Sequence, residues 1–560
     1  MTLLPALLLT AATAAEPGLS WQAALTSELQ VRPWAVPAGS WVQDLTLPAG
    51  VTRNQTGLRL AAQLRQGPFW AQFDGELVAV GPSQDVQSIG DLSRQDQVSP
   101  VRFDLVDAWF EAPLGPVPGL SLRVGQQRLQ DGVGDRFNPT DNLSADDLED
   151  PLRFGDFQGN AMVRLDLAPS ERWSARLVAV PVFKPALLPD TAPLGWSNPA
   201  ALPWQEETLR WRVLSEQGLQ EDGLGYPTVI SGSQLTLPET TLANVQLEAR
   251  LGGSFGPHEL ALGLYRGFLD FPVVTGQHTT AQVDARCNPA DPADCVEGML
   301  LTELTLGFPR VHVLGFNASG PLTPAESRWP LHYRAELALL FPERQTVTLT
   351  QDELDLGFIT APAGEVDYGL EGERPTSLSD QPYLKWVLGF DLPLGDRGQA
   401  GLQWVHGLPD EHGAGAAWQP DLWVSVDGGV DTGLPTTTSC ALEGFGETCA
   451  WERTRPRVGD YLALSGELRL KGTTLGFLGL VDLVGHAEEH VVDWSRERVR
   501  HGPLSPQGFS ALLLPQVSQA LGDRVTLAAG ALLLLGGPES RFGEPAAGGT
   551  RVFLRGRYSF

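Results

Sequence analysis

The chain has 560 residues and a formal net charge of −28. A protein this acidic, whose only lysines are Lys184, Lys385 and Lys471, is excluded as a nucleic-acid binder, because neutralising phosphates demands clustered Lys and Arg. Beyond the first fifteen residues nothing supplies the roughly 20 consecutive apolar residues of a membrane-spanning helix, which excludes a helix-bundle membrane protein.

Taken in chain order, residues 1–15 read as a secretory signal peptide. The apolar run LLPALLLT leads into small residues, with Ala12-Thr13-Ala14 and Thr13-Ala14-Ala15 as cleavage sites, although no Lys or Arg precedes it. Residues 16–56 follow as an amino-terminal segment or first barrel hairpin. From 57 to 560, stretches of about ten residues with alternating polarity recur, the pattern of a transmembrane antiparallel β-barrel whose side chains face lipid and lumen in turn.

In Gly119 to Gln127, Leu120, Leu122 and Val124 share one face while Ser121, Arg123, Gly125 and Gln127 share the other. The same alternation marks Met162 to Leu167, Asn244 to Leu251, Tyr333 to Phe341, Leu384 to Leu392 and Leu462 to Lys471. Val525 to Gly537 is too short for a helical span, yet it exceeds the roughly 9–11 residues of a tilted barrel strand. Short turns are predicted at Ala168 to Ser170, Ser254 to Pro257, Gly395 to Gly398, and near Gly472 and Gly522. Between them lie long loops: Gln130 to Gln158, Lys184 to Thr241, Asp270 to Gly298, Pro342 to Asp380, Leu408 to Gly459 and Gly485 to Gln507. Compact soluble domains rarely hold so many long loops, whereas a barrel with short periplasmic turns and long outer loops requires them. The tally is about 18 strands, within a range of roughly 16 to 20 set by whether the amino-terminal hairpin before Gly57 and the short run Thr346 to Gln351 are counted. Trp70, Trp109, Trp173, Trp386, Trp404 and Tyr461, near strand ends, are expected as interfacial girdle residues.

The cysteines fall in two close pairs, Cys287 with Cys295 and Cys440 with Cys449, each in a polar loop stretch. Nearest-neighbour pairing would staple two surface loops in an oxidising compartment, and the spacing and lack of adjacent histidines argue against metal. The final strand, RVFLRGRYSF, places Phe560, Tyr558, Gly556, Leu554 and Val552 outward and Ser559, Arg557, Arg555 and Arg551 inward. Its terminal aromatic pair, Tyr558 and Phe560, resembles the signal read by outer-membrane assembly machinery.

The segment Val106 to Pro151, with its L-R-x-G-x-Q strand followed by N-P-x-D and D-P, resembles large proteobacterial outer-membrane porins related to the alginate-export barrels. Tyr383 to Glu411 resembles a G-x-D strand and its partner in the same group. The resemblance implies that Gly125, Gln127, Asn138, Pro139 and Asp141 form a strand-loop unit. Physically, Gly125 gives room for an inward loop, while Asn138 and Asp141 can bond backbone to fix its turn. Such a loop, with Asp135, Arg136, Asn138, Asp141 and Asp150, would narrow a pore; a structural turn on the outer rim is the alternative.

Two catalytic motifs fail on context. His486 to His490 satisfies H-x-x-E-H, and Gly252 to Gly256 satisfies G-x-S-x-G, but the first leaves an apolar strand for a loop and the second lies between strands rather than before a helix. No catalytic residue, cofactor or metal site is expected. The lumen face collects Arg123, Arg164, Arg176, Arg250, Arg334, Arg469, Arg551, Arg555 and Arg557 against Asp166, Glu248, Glu336 and Glu467. The reading is a net basic lumen passing small polar or anionic solutes; a self-neutralising salt-bridge network is its rival, and a non-conducting barrel with adhesive or receptor loops is the alternative function. Expected partners are outer-membrane lipid and lipopolysaccharide, with the acidic Asp141 to Asp150 loop beside divalent cations, the assembly machinery and the solute.

Overall fold

Two-residue alternation dictates the architecture, since on a closed sheet every second side chain meets lipid and its neighbour meets the interior. The structure, a computed structural model, describes residues 18–39, 44–80, 101–115, 117–189, 191, 228–282, 299–324, 327, 329–355, 360–365, 376–413, 450–454, 458–492, 495–537, 540–544 and 547–560. Eighteen strands form one antiparallel sheet. They are β1 Gly18–Arg32, β2 Gly50–Gln66, β3 Phe69–Val80, β4 Val101–Pro113, β5 Leu120–Gln127, β6 Asn160–Leu167, β7 Trp173–Val180, β8 Gln246–Phe255 and β9 His258–Phe268, followed by β10 Arg310–Pro321, β11 His332–Pro342, β12 Tyr383–Pro393, β13 Gly398–His406, β14 Asp460–Leu470, β15 Thr473–Asp482, β16 Ser510–Leu521, β17 Val525–Gly536 and β18 Arg551–Ser559. β1 pairs with β2 on one side and β18 on the other, with Leu25 opposite Tyr558 and Glu28 opposite Arg555, so the sheet closes and leaves no free edge.

Among the described residues the first barrel strand starts at Gly18, and the expected boundary at residue 57 falls inside β2. Residues 1–15 and all four cysteines lie outside the described residues. The run Thr346 to Gln351 contributes nothing to the barrel. Its residues Thr348–Gln351 pair in parallel with Val273–Gln282 in a five-stranded sheet made by the loops, and its Val347 and Leu349 are buried there rather than offered to lipid.

Short turns gather at the end of the barrel that holds Gly18 and Phe560, and the long connections gather at the other. Lys471 and Gly472 both take positive φ, 42° and 89°, the type I′ geometry whose twist suits a two-residue hairpin. Outward positions carry exposed Leu177, Leu251, Leu262, Leu264, Phe316, Leu388, Phe390, Leu464, Phe477 and Leu554. No described helix is long and apolar enough to cross a membrane. A closed sheet with this exterior satisfies its backbone internally and crosses a bilayer by its strands; it is the build of a bacterial outer-membrane barrel.

The girdle expectation needs correcting at three positions. Trp173 and Trp404 face outward and are exposed, and Trp386 stacks on His406 at 3.7 Å. Trp70, Trp109 and Tyr461 instead point inward, because they share phase with the lumen residues Asp74, Glu111 and Ala463 on their own strands. Trp109 packs edge-on against Trp70 at 4.9 Å, and Tyr461 is fully buried, its hydroxyl donating to Glu411.

Candidate functional site

The connection between β5 and β6, residues 128–159, turns into the barrel and bonds to strands far along the chain. Its entry depends on Gly125, which takes φ 135°; a β-carbon there would lie 2.2 Å from the Ala108 carbonyl oxygen. The glycine thus permits close backbone contact with β4 rather than simply leaving room for the loop. Beside it, Gln127 Nε2 donates to the Met162 carbonyl at 3.2 Å.

Glu336, buried on β11, anchors the loop's tip. Oε2 accepts from Val133 N at 2.9 Å and Gly134 N at 3.2 Å; Oε1 accepts from Thr140 N at 2.8 Å and Thr140 Oγ1 at 2.7 Å. Around this anchor, Arg334 donates to the Val133 carbonyl, while Arg250 and Asn317 both donate to the Asp131 carbonyl, at 2.6 and 2.8 Å. Asp135 N reaches Gln403 at 3.4 Å, and at the loop's far end Gln30 donates to Asp150 at 3.0 Å. Arg53 and Arg102 hold Glu149, each at 2.9 Å.

Within the loop, Asp141 Oδ2 accepts from Asp131 N at 3.3 Å, and Asp141 N donates to the Asn138 carbonyl at 2.9 Å. The Asn138 side chain, expected to fix the turn by bonding backbone, makes no hydrogen bond in the described structure; it packs where Gly132 and Gly134 have no β-carbon. Arg136 takes φ 73° and donates to the Phe154 carbonyl at 3.1 Å.

The loop also carries an apolar face. Phe137 and Leu152 join Leu408, Phe542 and the inward Val387, Val405, Leu478, Leu480, Leu514 and Phe553 in one buried cluster, while Leu129 and Leu143 join a second with Met162, Val178, Tyr265 and Val313. Part of the interior is therefore a packed core between loop and wall. Under the loop a cavity of about 60 Å³ is lined by Asp141, Asp146, Asp270, Lys385 and His412 among others. Asp146 N donates to Asp270 Oδ2 at 2.9 Å. Burial, then the neighbouring Asp270 carboxylate, pushes the Asp146 carboxyl well above the usual range. Burial also raises Asp270 and, aided by the Asp131 and Glu248 carboxylates, Asp141. Burial lowers the His412 imidazole well below its ordinary value.

The arginines face inward in the expected phase, and carboxylates answer most of them. Arg123 pairs with Glu111 at 2.5 Å and lies 3.8 Å over Trp109. Arg164 lies 2.7 Å from Asp166, and Arg176 bridges Asp131 and Glu248. Arg334 pairs with Asp391 and Arg555 with Glu28. Arg469 pairs with Glu467 at 2.6 Å near the short-turn end, largely in solvent. Arg551 is buried, and Arg557 is exposed next to the terminal residues. The expected net basic lumen gives way to a paired network, because Glu28, Glu111 and Asp391 on the wall and Asp131 on the loop add negative charge beside these arginines. Continuing the two-residue phase through β1 and β4 would have found Glu28 and Glu111; nothing in the sequence marks the loop carboxylate.

Arginine is nevertheless concentrated in one place. Arg123 lies directly opposite Arg164, and Arg176 directly opposite Arg250, across four consecutive strands. These four line a recess of about 330 Å³ together with Glu111 and Asp166, and a second recess of about 460 Å³ continues from Arg250 to the turn at Ala168 and Arg172. Among the rejected motifs, Gly252 to Phe255 end β8 before the Gly256 turn, and His486 to His490 lie in an extended strand, His486–Val492. Neither has the helix its chemistry needs.

No protein-family model and no curated protein matches the chain. Among solved structures, similarity is found to Acinetobacter baumannii OccAB1 at 7% identity and TM-score 0.42, covering 97% of this chain and 96% of that one. It is found also to Pseudomonas aeruginosa OccK7 (OpdD) at 9% identity and TM-score 0.40, covering 97% and 98%, and to a mutant Rh. blastica porin at 10% identity and TM-score 0.29, covering 97% and 100%. With scores below 0.5, these similarities assign nothing to the chain beyond likeness.

Proposed function

We propose that the protein is a passive outer-membrane channel for small polar solutes, with carboxylate or phosphate groups favoured at the arginine recess. The observation that carries this reading is the recess itself: four guanidinium groups on adjacent strands, beneath a loop held across the interior by Glu336, Arg334 and Arg250. Guanidinium groups offer bidentate donors to carboxylate and phosphate oxygens, so a passing anion can replace a wall carboxylate as partner. In this reading Asp135, Arg136, Asn138, Asp141 and Asp150 belong to the constriction. Tyr558, half-buried, and Phe560, exposed, lie on the outer face and are offered to the assembly machinery. The proposal involves neither cofactor nor catalytic chemistry. Kinship with the alginate-export barrels rests on the Val106 to Pro151 and Tyr383 to Glu411 patterns alone.

The apolar contacts of Phe137, Leu152 and Phe542 with the wall favour a second reading, a plugged barrel whose loop sheets form a recognition surface. Single-channel recording of the refolded protein in planar bilayers, with its anion-to-cation permeability ratio, separates the two. Stable conductance favouring anions supports the channel; an inserted, folded barrel without conductance removes it.

A further inference from the structure

The outer wall carries a groove of about 670 Å³ across β6 to β11. Its floor forms where the wall steps down to Ala179 and Ala249 among the surrounding Leu177, Leu247 and Leu264. Toward the long-loop end the composition changes abruptly. Leu247, Arg266, His312 and Phe341 stand side by side in one outward row, while the next row toward the short turns is Ala249, Leu264, Leu314 and Leu339. Arg266 and His312 are exposed, and neither has a hydrogen-bond or ion-pair partner among the described residues. An arginine on the lipid face is costly at the bilayer midplane and tolerated at the interface, so this row marks the membrane boundary on the loop side.

We propose that the groove binds a phosphorylated, multiply acylated glycolipid of the outer leaflet, with an acyl chain over Ala249 and Leu264 and a phosphate on Arg266 and His312. The guanidinium fork matches phosphate oxygens in a bidentate contact, and an imidazole N–H adds a donor beside it. Apolar surface adjoins these donors on the side away from the long loops, where Leu165, Leu177, Ala249, Leu264 and Leu314 form the groove's second row, as a lipid's chains lie inward of its headgroup. A second copy of the chain fits less well, because no outward position of β8 to β11 carries a carboxylate to answer Arg266. The inference requires outer-membrane placement and is independent of conduction.

The test titrates the purified barrel in detergent with diphosphoryl lipid A, its dephosphorylated counterpart and phosphatidylglycerol, reading bound lipid by native mass spectrometry. The wild type is expected to hold diphosphoryl lipid A at least tenfold more tightly than either other lipid. Arg266→Gln with His312→Gln should abolish that preference, and Ala249→Phe should weaken lipid A binding by filling the groove. Equal binding of all three lipids by the wild type overturns the proposal even if a variant fails to fold. Retained preference in a folded double variant also overturns it, and a dimer lost on either substitution assigns the groove to a second copy instead. Single-channel conductance should be the same in wild type and variants, which separates this result from any failure of the channel reading.

Discussion

Glu336→Gln removes the charge at the point where the loop is most densely bonded. The wild-type carboxylate accepts four hydrogen bonds, two on each oxygen, and is 1% exposed, so water does not readily replace it. A glutamine retains one accepting oxygen and turns its NH2 toward the other two donors. Each stranded buried donor costs about 1–3 kcal/mol, so the change should weaken loop docking by about 2–6 kcal/mol. At tenfold per 1.4 kcal/mol, the undocked fraction rises about 30-fold to 10⁴-fold. Limited trypsin digestion of the folded barrel reads this directly, because Arg136 and Arg153 lie in the loop and become cleavable only when it leaves the interior. Single-channel recordings should show larger or noisier open levels. Wild-type cleavage rates together with wild-type conductance would refute the claim that Glu336 holds the loop.

Phe137→Ala should loosen the same loop through packing: truncating a buried phenylalanine costs about 3–5 kcal/mol, so trypsin sensitivity should rise while the heat-modifiable mobility of the barrel stays unchanged. Arg164→Gln with Arg250→Gln should move permeability toward cations; a unit charge about 5 Å from a permeant ion in a water-like dielectric contributes about 0.8 kcal/mol, or about fourfold per arginine. Asp146 and Asp270 have carboxyls raised by burial, so the docked loop holds protons that the undocked loop releases. Docking is therefore strongest in acid and weakens as pH climbs above the ordinary aspartate value of about 3.9 and through the raised one. Conductance recorded from acid to alkaline pH should show increasing loop fluctuation, and Asp270→Asn should flatten that dependence.

The sequence reveals the barrel because alternation is local. Strand β18 can be phased from Phe560 backwards, and the structure keeps that phase through Val552 and Arg551. Local phase is also why Trp109 could have been placed correctly, since Asp107 and Glu111 flank it at two-residue spacing and a lipid-facing row would not carry both. Composition near a strand end misled where periodicity would not have.

What binds the inward loop is not local. Val133 meets Glu336 across 203 residues of chain and Gln30 meets Asp150 across 120, and no pattern within a strand records either contact. The G-x-Q and N-P-x-D signature takes a more specific meaning from the structure. Gly125 is required by a backbone approach to Ala108, Gln127 ties β5 to β6, and Asp141 closes the turn onto Asp131, so these residues aim the loop inward. The side chains that hold it there belong to β11 and its neighbours. A chain could therefore keep the signature yet lose the equivalent of Glu336, and its loop would enter the barrel without being fastened. The motif by itself is evidence for the direction of the loop, while the state of the pore depends on distant wall residues that must be read from the folded structure.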